Sequence, residues 1–189
     1  MLSNTLFRVP RTSGLQPLQV RGGHGASREL TTSRLCLAAG QRVEYVREAE
    51  ETVVVLQEGQ GTFATPDHSW RASRAGVFAE RATALYLPPG MALTVTATTP
   101  LEAVLVSTPA TESAAPALVS PDEVTVNPRG RGTYAREVHD IFVRDPHVRW
   151  LVAGETFSPP GHESSFPPHK HDGRDGEPTS GGYSEKIVV

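Results

Sequence analysis

Two histidines close to the end of the chain, His169 and His171, have the residue type and the spacing that metal binding requires. On a β-strand, residues i and i+2 point to the same face, so both imidazoles would be directed at one ion. Lys170 would point to the opposite face, where its charge would not compete with the cation. Neutral imidazole is a ligand for Zn, Fe, Ni and Cu. The pair therefore indicates a metal site, and a solvated loop is the alternative interpretation.

The elements that would position this pair are predicted to be short β-strands. Seventeen glycines and sixteen prolines separate short apolar runs that are rich in valine, leucine and threonine. This pattern is typical of an all-β barrel or sandwich. The spacing of the runs predicts a single antiparallel barrel in the first part of the chain, with strands at 34–38, 43–46, 52–57, 61–64, 76–80, 84–87, 92–97 and 101–107.

Glycine and proline predict the turns between these strands. Glu58-Gly59-Gln60-Gly61 places two glycines between apolar runs, where they would tolerate positive φ. Pro88-Pro89-Gly90 ends another apolar run. The next segment, Leu93-Thr94-Val95-Thr96-Ala97, alternates apolar and polar residues, as a half-buried strand does.

A small, polar segment bounded by prolines, 109–116, has the composition of a linker. We therefore predict a first domain at 1–112 and a second at 113–189. The second unit restarts the β pattern and changes to a stretch without aliphatic side chains after Asp172. Its predicted elements are a short apolar run at 124–126, a turn at 129–132, a strand or helix at 134–142 and a strand at 148–157.

Charge and composition exclude several classes of partner. The net charge of -3 arises without a long run of either sign, which argues against binding to nucleic acid or to a membrane surface. No apolar segment reaches the roughly 20 residues that span a bilayer, and the N-terminus lacks the apolar core of a signal peptide. Cys36 is the single cysteine, which fits a reducing compartment. These features predict a cytoplasmic protein with a small-molecule ligand.

The context of the histidine pair resembles a known family. The segments Gly154-Glu155-Thr156-Phe157-Ser158-Pro159-Pro160-Gly161 and Ser164-Ser165-Phe166-Pro167-Pro168-His169-Lys170-His171-Asp172 resemble the two-cupin uronate isomerases. This family includes the 5-deoxy-glucuronate isomerases of inositol catabolism and the keto-deoxyuronate isomerases of pectin breakdown. The similarity to the 5-deoxy-glucuronate isomerases extends from about residue 43 to residue 172, and the second of these two segments is its most specific part.

The resemblance implies a cupin fold, with one complete small antiparallel barrel followed by a second, incomplete one that carries the metal. His169 and His171 would be two ligands, joined by a glutamate and by a later histidine for which the chain has no counterpart. Glu185 is the candidate glutamate and Glu177 the alternative. Zinc is the expected divalent ion, with Fe, Mn or Ni as alternatives. The first barrel has Val43 and Tyr45 where ligands would be expected, so it is predicted to hold no metal.

The implied activity is an aldose-ketose isomerisation of 5-deoxy-glucuronate to 2-deoxy-5-keto-gluconate, with a sugar acid as the small-molecule partner. The sequence does not identify the general base or other catalytic residues. An inactive, truncated cupin that binds sugars or serves a structural role is the alternative, and a keto-deoxyuronate isomerase is a further one. Exposed edge strands of an incomplete barrel would allow a homo-oligomer.

Several other residues could contribute to this site. Arg129 and Arg131 could bind a substrate carboxylate through bidentate hydrogen bonds, or be solvated turn residues. Glu155 could line the second barrel or lie at an exposed strand end. His162-Glu163 replaces the Asn-Trp pair that the family usually has before Ser164, which would alter the lining or rim of the site.

Overall fold

A computed structural model of the chain describes residues 8–23, 28–112, 114–143, 145–163 and 187–188. In this part of the chain the regular structure is β, apart from a short 3-10 turn at Gly132–Tyr134, so the predicted all-β class is confirmed. The strands are β1 (Gly14–Gln19), β2 (Thr31–Leu37), β3 (Arg42–Tyr45), β4 (Glu50–Ala64), β5 (Ser69–Arg74), β6 (Ala84–Leu87), β7 (Leu93–Ala97), β8 (Leu101–Pro109), β9 (Ala117–Val119), β10 (Thr125–Arg129), β11 (Arg136–Phe142), β12 (Leu151–Phe157) and β13 (Ile187–Val188).

The 15-residue strand β4 organises the first barrel because it takes part in two antiparallel layers. Its first half pairs with β6 and β8 in the order β1-β2-β8-β4-β6-β9. Its second half pairs with β5 and β7, and β7 also pairs with β3. Val54 lies opposite Leu85 and Leu105, whereas Phe63 lies opposite Trp70 and Val95. One strand thus closes the two layers into a barrel.

The turn predicted at residues 58–61 is wrong, because β4 continues through both glycines. Gly59 has φ +99°, and a Cβ there would lie 2.2 Å from the carbonyl oxygen of Pro100. A Cβ on Gly61 would lie 2.7 Å from the carbonyl oxygen of Thr96. Just before the glycines, the register with β8 shifts between Leu56 and Glu58, which is the signature of a bulge. The glycines therefore allow close approach of backbones within a bent strand.

The strand predicted at 76–80 is also wrong. Gly76 has φ +144°, and its carbonyl accepts the backbone N–H groups of Ala79 and Glu80, so this segment is a turn. The strand that precedes it, β5, was missed because its sequence is largely polar and only Trp70 and Ala72 supply apolar side chains. The segment 134–142, predicted as a strand or helix, is resolved as the strand β11.

The core inside the first barrel lies between the two layers of strands. Tyr45, Val54, Phe63, Leu85 and Val95 are each at most 7% exposed and belong to one cluster. They alternate along their strands with residues that point out of the barrel, as the two-residue period of a strand requires. This alternation places a second set of apolar side chains on the outer face of β4 and β6.

That outer face packs against the second unit and forms a separate core. Val53, Ala84 and Tyr86 from the barrel join Phe142 and Leu151 from the second unit in one buried cluster. Tyr86 contacts Phe142 ring to ring, with centroids 6.4 Å apart. The strands β4 and β6 are thus apolar on both faces, which explains their uninterrupted apolar sequence.

The second sheet has the order β10-β11-β12-β13, antiparallel except for the parallel pair β12 and β13. In it Glu137 lies opposite Phe157 and His139 opposite Glu155, on the face that meets the first barrel. Between the two sheets, β9 follows the predicted domain division at residue 112 yet pairs with β6 of the barrel. The division at that residue stays a prediction. Among the described residues, no helix has the length and hydrophobicity that crossing a membrane requires.

Candidate functional site

The predicted metal ligands His169, His171 and Glu185, together with the alternative Glu177, lie outside the described residues. Their role therefore stays a prediction. Within the described ranges, no three histidine, cysteine, aspartate or glutamate side chains come together as a metal site. What the structure does give is the framework immediately before the histidine motif.

The segment that leads into the motif is anchored to the hairpin of β10 and β11. After β12 ends, the chain turns at Gly161, whose φ is +79°. The His162 ring then donates from Nδ1 to the carbonyl oxygen of Ala135 at 2.8 Å, and the backbone N–H of Glu163 donates to the carbonyl oxygen of Thr133 at 2.8 Å. Two hydrogen bonds thus fix the start of the motif segment against the hairpin turn.

The same contact sets the tautomer of His162. A carbonyl oxygen only accepts hydrogen bonds, so the proton of a neutral His162 ring lies on Nδ1 and the lone pair on Nε2. Histidines that bind metals or accept protons are commonly oriented by such a carbonyl. His162 is therefore an oriented imidazole shortly before the predicted ligands.

The turn between β10 and β11 depends on glycine, and it brings two arginines together. Gly130 has φ +77°, and a Cβ there would lie 2.1 Å from the carbonyl oxygen of Tyr134. The resulting register places Arg129 directly opposite Arg136. Arg136 Nη1 donates to the Tyr134 carbonyl at 3.2 Å. Arg131, which the sequence offered with Arg129 either as a carboxylate ligand or as a solvated turn residue, lies exposed within the turn, and Arg129 is exposed as well.

The face that carries this arginine pair is polar. Asn127 lies opposite Val138 on that face, and its Nδ2 donates to Asp140 Oδ2 at 2.7 Å. Thr156, which lies opposite Val138 on the other side, is exposed. Because Glu155 and Phe157 point to the barrel, their neighbour Thr156 and this whole face point away from it. A polar sheet face of this kind can contact a hydroxylated ligand.

A groove of about 980 Å³ lies at the same end of the sheet, bordered by Glu137 and Phe157 from the barrel-facing side and by Arg136 and Thr156 as well. Phe78 of the first barrel, 94% exposed, meets Phe157 edge to face with ring centroids 6.0 Å apart. The Phe157 ring also lies 4.6 Å from that of His139, whose Nε2 is 3.2 Å from Glu137 Oε2. His139 Nδ1 is buried and has no hydrogen-bond partner among the described residues. This groove is mainly aromatic and apolar.

Two buried charges of the first barrel hold β12, the strand that precedes the motif. The carboxylate of Glu51, 0% exposed, accepts the backbone N–H groups of Arg149, Trp150 and Leu151 at 2.7–3.0 Å. Near the other end of β12, Glu155 pairs with the buried guanidinium of Arg74. Both ends of the strand are therefore fixed to the barrel.

Sequence reasoning missed these two contacts. Glu51 and Arg74 lie in strands whose charged residues would ordinarily face solvent. Glu155 was expected either to line the second barrel or to lie at an exposed strand end, and it does neither because it is paired with Arg74. One feature of the sequence could have indicated that Glu51 is buried. It directly precedes the mainly apolar run 52–56, most of which is buried.

Comparison with known proteins supports the resemblance seen in the sequence. A 5-deoxy-glucuronate isomerase of Geobacillus kaustophilus is 32% identical over 139 residues, which are 72% of this chain and 50% of that protein. A protein of the same name from Bacillus subtilis is 26% identical over 181 residues, 88% of this chain and 65% of the relative. The chain thus spans about half the length of the first of these relatives.

Solved structures agree on the fold. An IolB-like protein from Salmonella typhimurium superposes with a TM-score of 0.76 at 27% identity, covering 83% of this chain and 60% of that one. A putative glyoxylate-induced protein from Pseudomonas aeruginosa, 10% identical with a TM-score of 0.54 over 69% of this chain and 48% of that one, shares the fold alone. The predicted cupin class is confirmed. The KduI/IolB family model matches residues 11–186, and the chain belongs to the KduI/IolB family.

Proposed function

We propose that the chain is an aldose-ketose isomerase that converts 5-deoxy-glucuronate to 2-deoxy-5-keto-gluconate. The observation that carries this proposal is the family match over residues 11–186, which includes the histidine motif, together with relatives named 5-deoxy-glucuronate isomerase. Such an isomerisation reduces an aldehyde to an alcohol while the neighbouring alcohol becomes a ketone. It needs no external oxidant, only movement of protons between adjacent carbons and their oxygens.

We assign His169, His171 and Glu185 as the ligands of a divalent metal ion, with zinc as the expected ion and Fe, Mn or Ni as alternatives. Two imidazoles and a carboxylate suit such an ion. When bound, it would polarise the substrate carbonyl and stabilise the negative charge that develops on the oxygen. The contacts of His162 and Glu163 with the hairpin support this assignment, because they would fix the entry to the ligand segment.

The chain's own residues would bind and orient the substrate and move its protons. A general base has to lie within hydrogen-bond reach of the migrating proton. The oriented Nε2 of His162 could accept a hydrogen bond or a proton in this region. The polar face of the second sheet offers further donors and acceptors for the hydroxyl groups of a sugar.

Metal content and turnover of the full 189-residue chain test this function. Elemental analysis is expected to find a divalent metal in the wild type and to find it lost in His169→Ala. His68→Ala is the matched control, because His68 is exposed and stacks on Trp70 of the first barrel. Equal metal in the wild type and His169→Ala would contradict the ligand assignment.

Turnover is measured separately with 5-deoxy-glucuronate and with a keto-deoxyuronate. Turnover of 5-deoxy-glucuronate supports the proposal. Preferential turnover of the keto-deoxyuronate would indicate a keto-deoxyuronate isomerase instead. Absence of turnover on either would indicate an inactive sugar-binding or structural cupin. A sugar acid as partner, a homo-oligomeric state and a cytoplasmic location belong to the same proposal, and light scattering of the purified chain tests the oligomeric state.

A further inference from the structure

Two arginines of the second sheet are paired in a way that ordinary sheet packing disfavours. Arg129 and Arg136 are the last register pair of β10 and β11 before the turn. Residues that lie directly opposite each other in an antiparallel pair share one face, with Cβ atoms about 4.5–5.5 Å apart. Like charges in this arrangement repel each other. A negative charge close to the two guanidinium groups would relieve this repulsion.

Within the described residues, that negative charge is not supplied by the protein. Neither Arg129 nor Arg136 forms an ion pair with a carboxylate there, whereas Arg34, Arg42 and Arg74 each pair with a glutamate. The carboxylate of Asp140, on the same face, takes a hydrogen bond from Asn127 instead. Apart from the hydrogen bond of Arg136 Nη1 to the Tyr134 carbonyl, the described residues supply no acceptor for the donors of this pair.

The arrangement is fixed by the backbone. Gly130 adopts positive φ and packs its Cα directly under the carbonyl of Tyr134, which sets the register of the hairpin. The same carbonyl accepts a hydrogen bond from Arg136 Nη1 and so orients that guanidinium. The neighbouring carbonyls of Thr133 and Ala135 hold the segment that enters the histidine motif. The arginine pair therefore lies at the end of the sheet to which His162 and Glu163 are bound.

We propose that Arg129 and Arg136 together bind the carboxylate of a sugar acid. A planar guanidinium matches the two oxygens of a carboxylate, and a carboxylate between two of them removes their mutual repulsion. Asn127, Asp140 and Thr156 share the polar face and can contact the hydroxyl groups of the same ligand. The identification of this ligand as the substrate rests on the proposed function. The sequence offered Arg129 with Arg131 either for this role or as solvated turn residues, whereas in this proposal Arg129 acts with Arg136.

Binding of D-glucuronate to the full chain, followed by calorimetry, tests the proposal, with methyl glucoside as the neutral counterpart. The wild type is expected to bind glucuronate and to reject the glucoside. Arg129→Gln and Arg136→Gln are each expected to weaken glucuronate binding about tenfold or more, as loss of a charged hydrogen bond does. Arg131→Gln, in the exposed turn between them, is the matched control and is expected to bind like the wild type.

A kinetic readout separates substrate binding from a structural effect. With 5-deoxy-glucuronate, the glutamine variants are expected to raise KM more than they lower kcat. Arg136→Lys retains the charge and loses the planar fork, so it is expected to fall between the wild type and Arg136→Gln. This variant also serves if Arg136→Gln does not fold.

The possible outcomes separate this inference from the proposed function. Glucuronate binding that depends on both arginines, without any turnover, would overturn the isomerase and leave the carboxylate site standing. Turnover with a KM that none of the arginine variants alters would support the isomerase and overturn the carboxylate site. A wild-type chain that does not bind glucuronate, or that binds the glucoside equally well, overturns the carboxylate site.

Discussion

The guanidinium of Arg74 and the carboxylate of Glu155 form two parallel hydrogen bonds that connect the first barrel to β12. Nη1 lies 2.9 Å from Oε1 and Nη2 lies 2.7 Å from Oε2, while the Arg74 side chain is 0% exposed and that of Glu155 is 15% exposed. Arg74 also donates to the carbonyl oxygens of Leu56 and Glu80. A buried charge with its donors satisfied in this way fixes the position of the strand it contacts.

Replacement of Arg74 by methionine is expected to destabilise the chain by about 3–5 kcal/mol. The variant leaves Glu155 with an unpaired, largely buried charge, and loss of one partner of a buried pair has a cost of this size. Urea unfolding followed by tryptophan fluorescence measures the change. Arg71→Met is the control, since Arg71 is on the same strand but exposed, and it is expected to change stability by about 0.5 kcal/mol or less.

Removal of both charges distinguishes the ion pair from simple loss of packing. Arg74→Met with Glu155→Leu is expected to be more stable than Arg74→Met alone, because no unpaired charge remains. A double variant that is no more stable than Arg74→Met would show that an unpaired charge on Glu155 does not destabilise the single variant. It would then be the packing of Arg74 that matters.

A second prediction concerns Glu51, whose carboxylate accepts three consecutive backbone N–H groups at the start of β12. In Glu51→Gln, an amide NH2 group would face N–H donors and the negative charge would be lost. The expected cost is about 2–4 kcal/mol, since buried donors lose their acceptor. Thermal unfolding measures it, and Glu44→Gln, at a side chain that is 75% exposed, is the control with little expected effect.

Hydrogen exchange locates the effect of the same substitution. The amides of Trp150 and Leu151 are expected to exchange faster in Glu51→Gln, relative to amides in the barrel such as that of Val54. Uniform acceleration across both units, with no excess at the start of β12, would indicate that Glu51 contributes to general stability and does not specifically hold this strand.

Local sequence patterns predicted strands well where one side of the strand is polar. The alternation at Leu93, Val95 and Ala97 gave β7 almost to the residue, because the period of two reports directly on burial. The same reasoning failed at Gly59 and Gly61. Glycine occurs both in turns and where two backbones approach closely. The second explanation holds for Gly59 because the backbone of Pro100 lies against it, and this contact is visible only in the folded structure.

The candidate site was predictable only to the extent that its residues are close in sequence. The spacing of His169 and His171 and their family context predict a metal site, and that stays a prediction because both residues lie outside the described part of the chain. The pairing of Arg74 with Glu155, 81 residues apart, depends on how the second sheet docks onto the barrel, which no local pattern encodes. Arg136 could be matched to Arg129 only once the register of the hairpin was known.

A third prediction follows from Tyr86, which is buried at the junction of the barrel and the second unit. Burial, followed by the negative charge of Glu51, raises the pKa of the Tyr86 phenol above its ordinary value of 10.0. Because the folded state disfavours tyrosinate, the contribution of Tyr86 to stability is complete below pH 10.0 and declines as the pH rises toward the folded pKa. Thermal stability is therefore expected to fall more steeply with alkaline pH in the wild type than in Tyr86→Phe.

Tyr134→Phe, at a half-buried residue of the turn between β10 and β11, is the control for this measurement and is expected to keep the alkaline slope of the wild type. The melting temperature of the three proteins, followed by circular dichroism from neutral pH upward, provides the comparison. A slope that is unchanged in Tyr86→Phe would mean that other groups account for the alkaline loss of stability.

The last prediction compares two glycines of the hairpin that differ in the space available for a Cβ atom. Gly130 and Gly132 both have positive φ, yet a Cβ would lie 2.1 Å from the Tyr134 carbonyl oxygen at Gly130 and meets nothing within 4 Å at Gly132. Gly132→Ala is expected to cost about 1–2 kcal/mol for the backbone conformation alone. Gly130→Ala must also displace the carbonyl that orients Arg136, so urea unfolding is expected to show a clearly larger loss.

Ligand binding by the same two variants connects this turn to the arginine pair. Displacement of the Tyr134 carbonyl would change the distance between Arg129 and Arg136, so Gly130→Ala is expected to weaken binding of D-glucuronate. Gly132→Ala is expected to preserve it, because the register of the hairpin does not depend on space at that residue. Equal affinities in the two alanine variants, with both folded, would mean that the turn does not set the geometry of the carboxylate site.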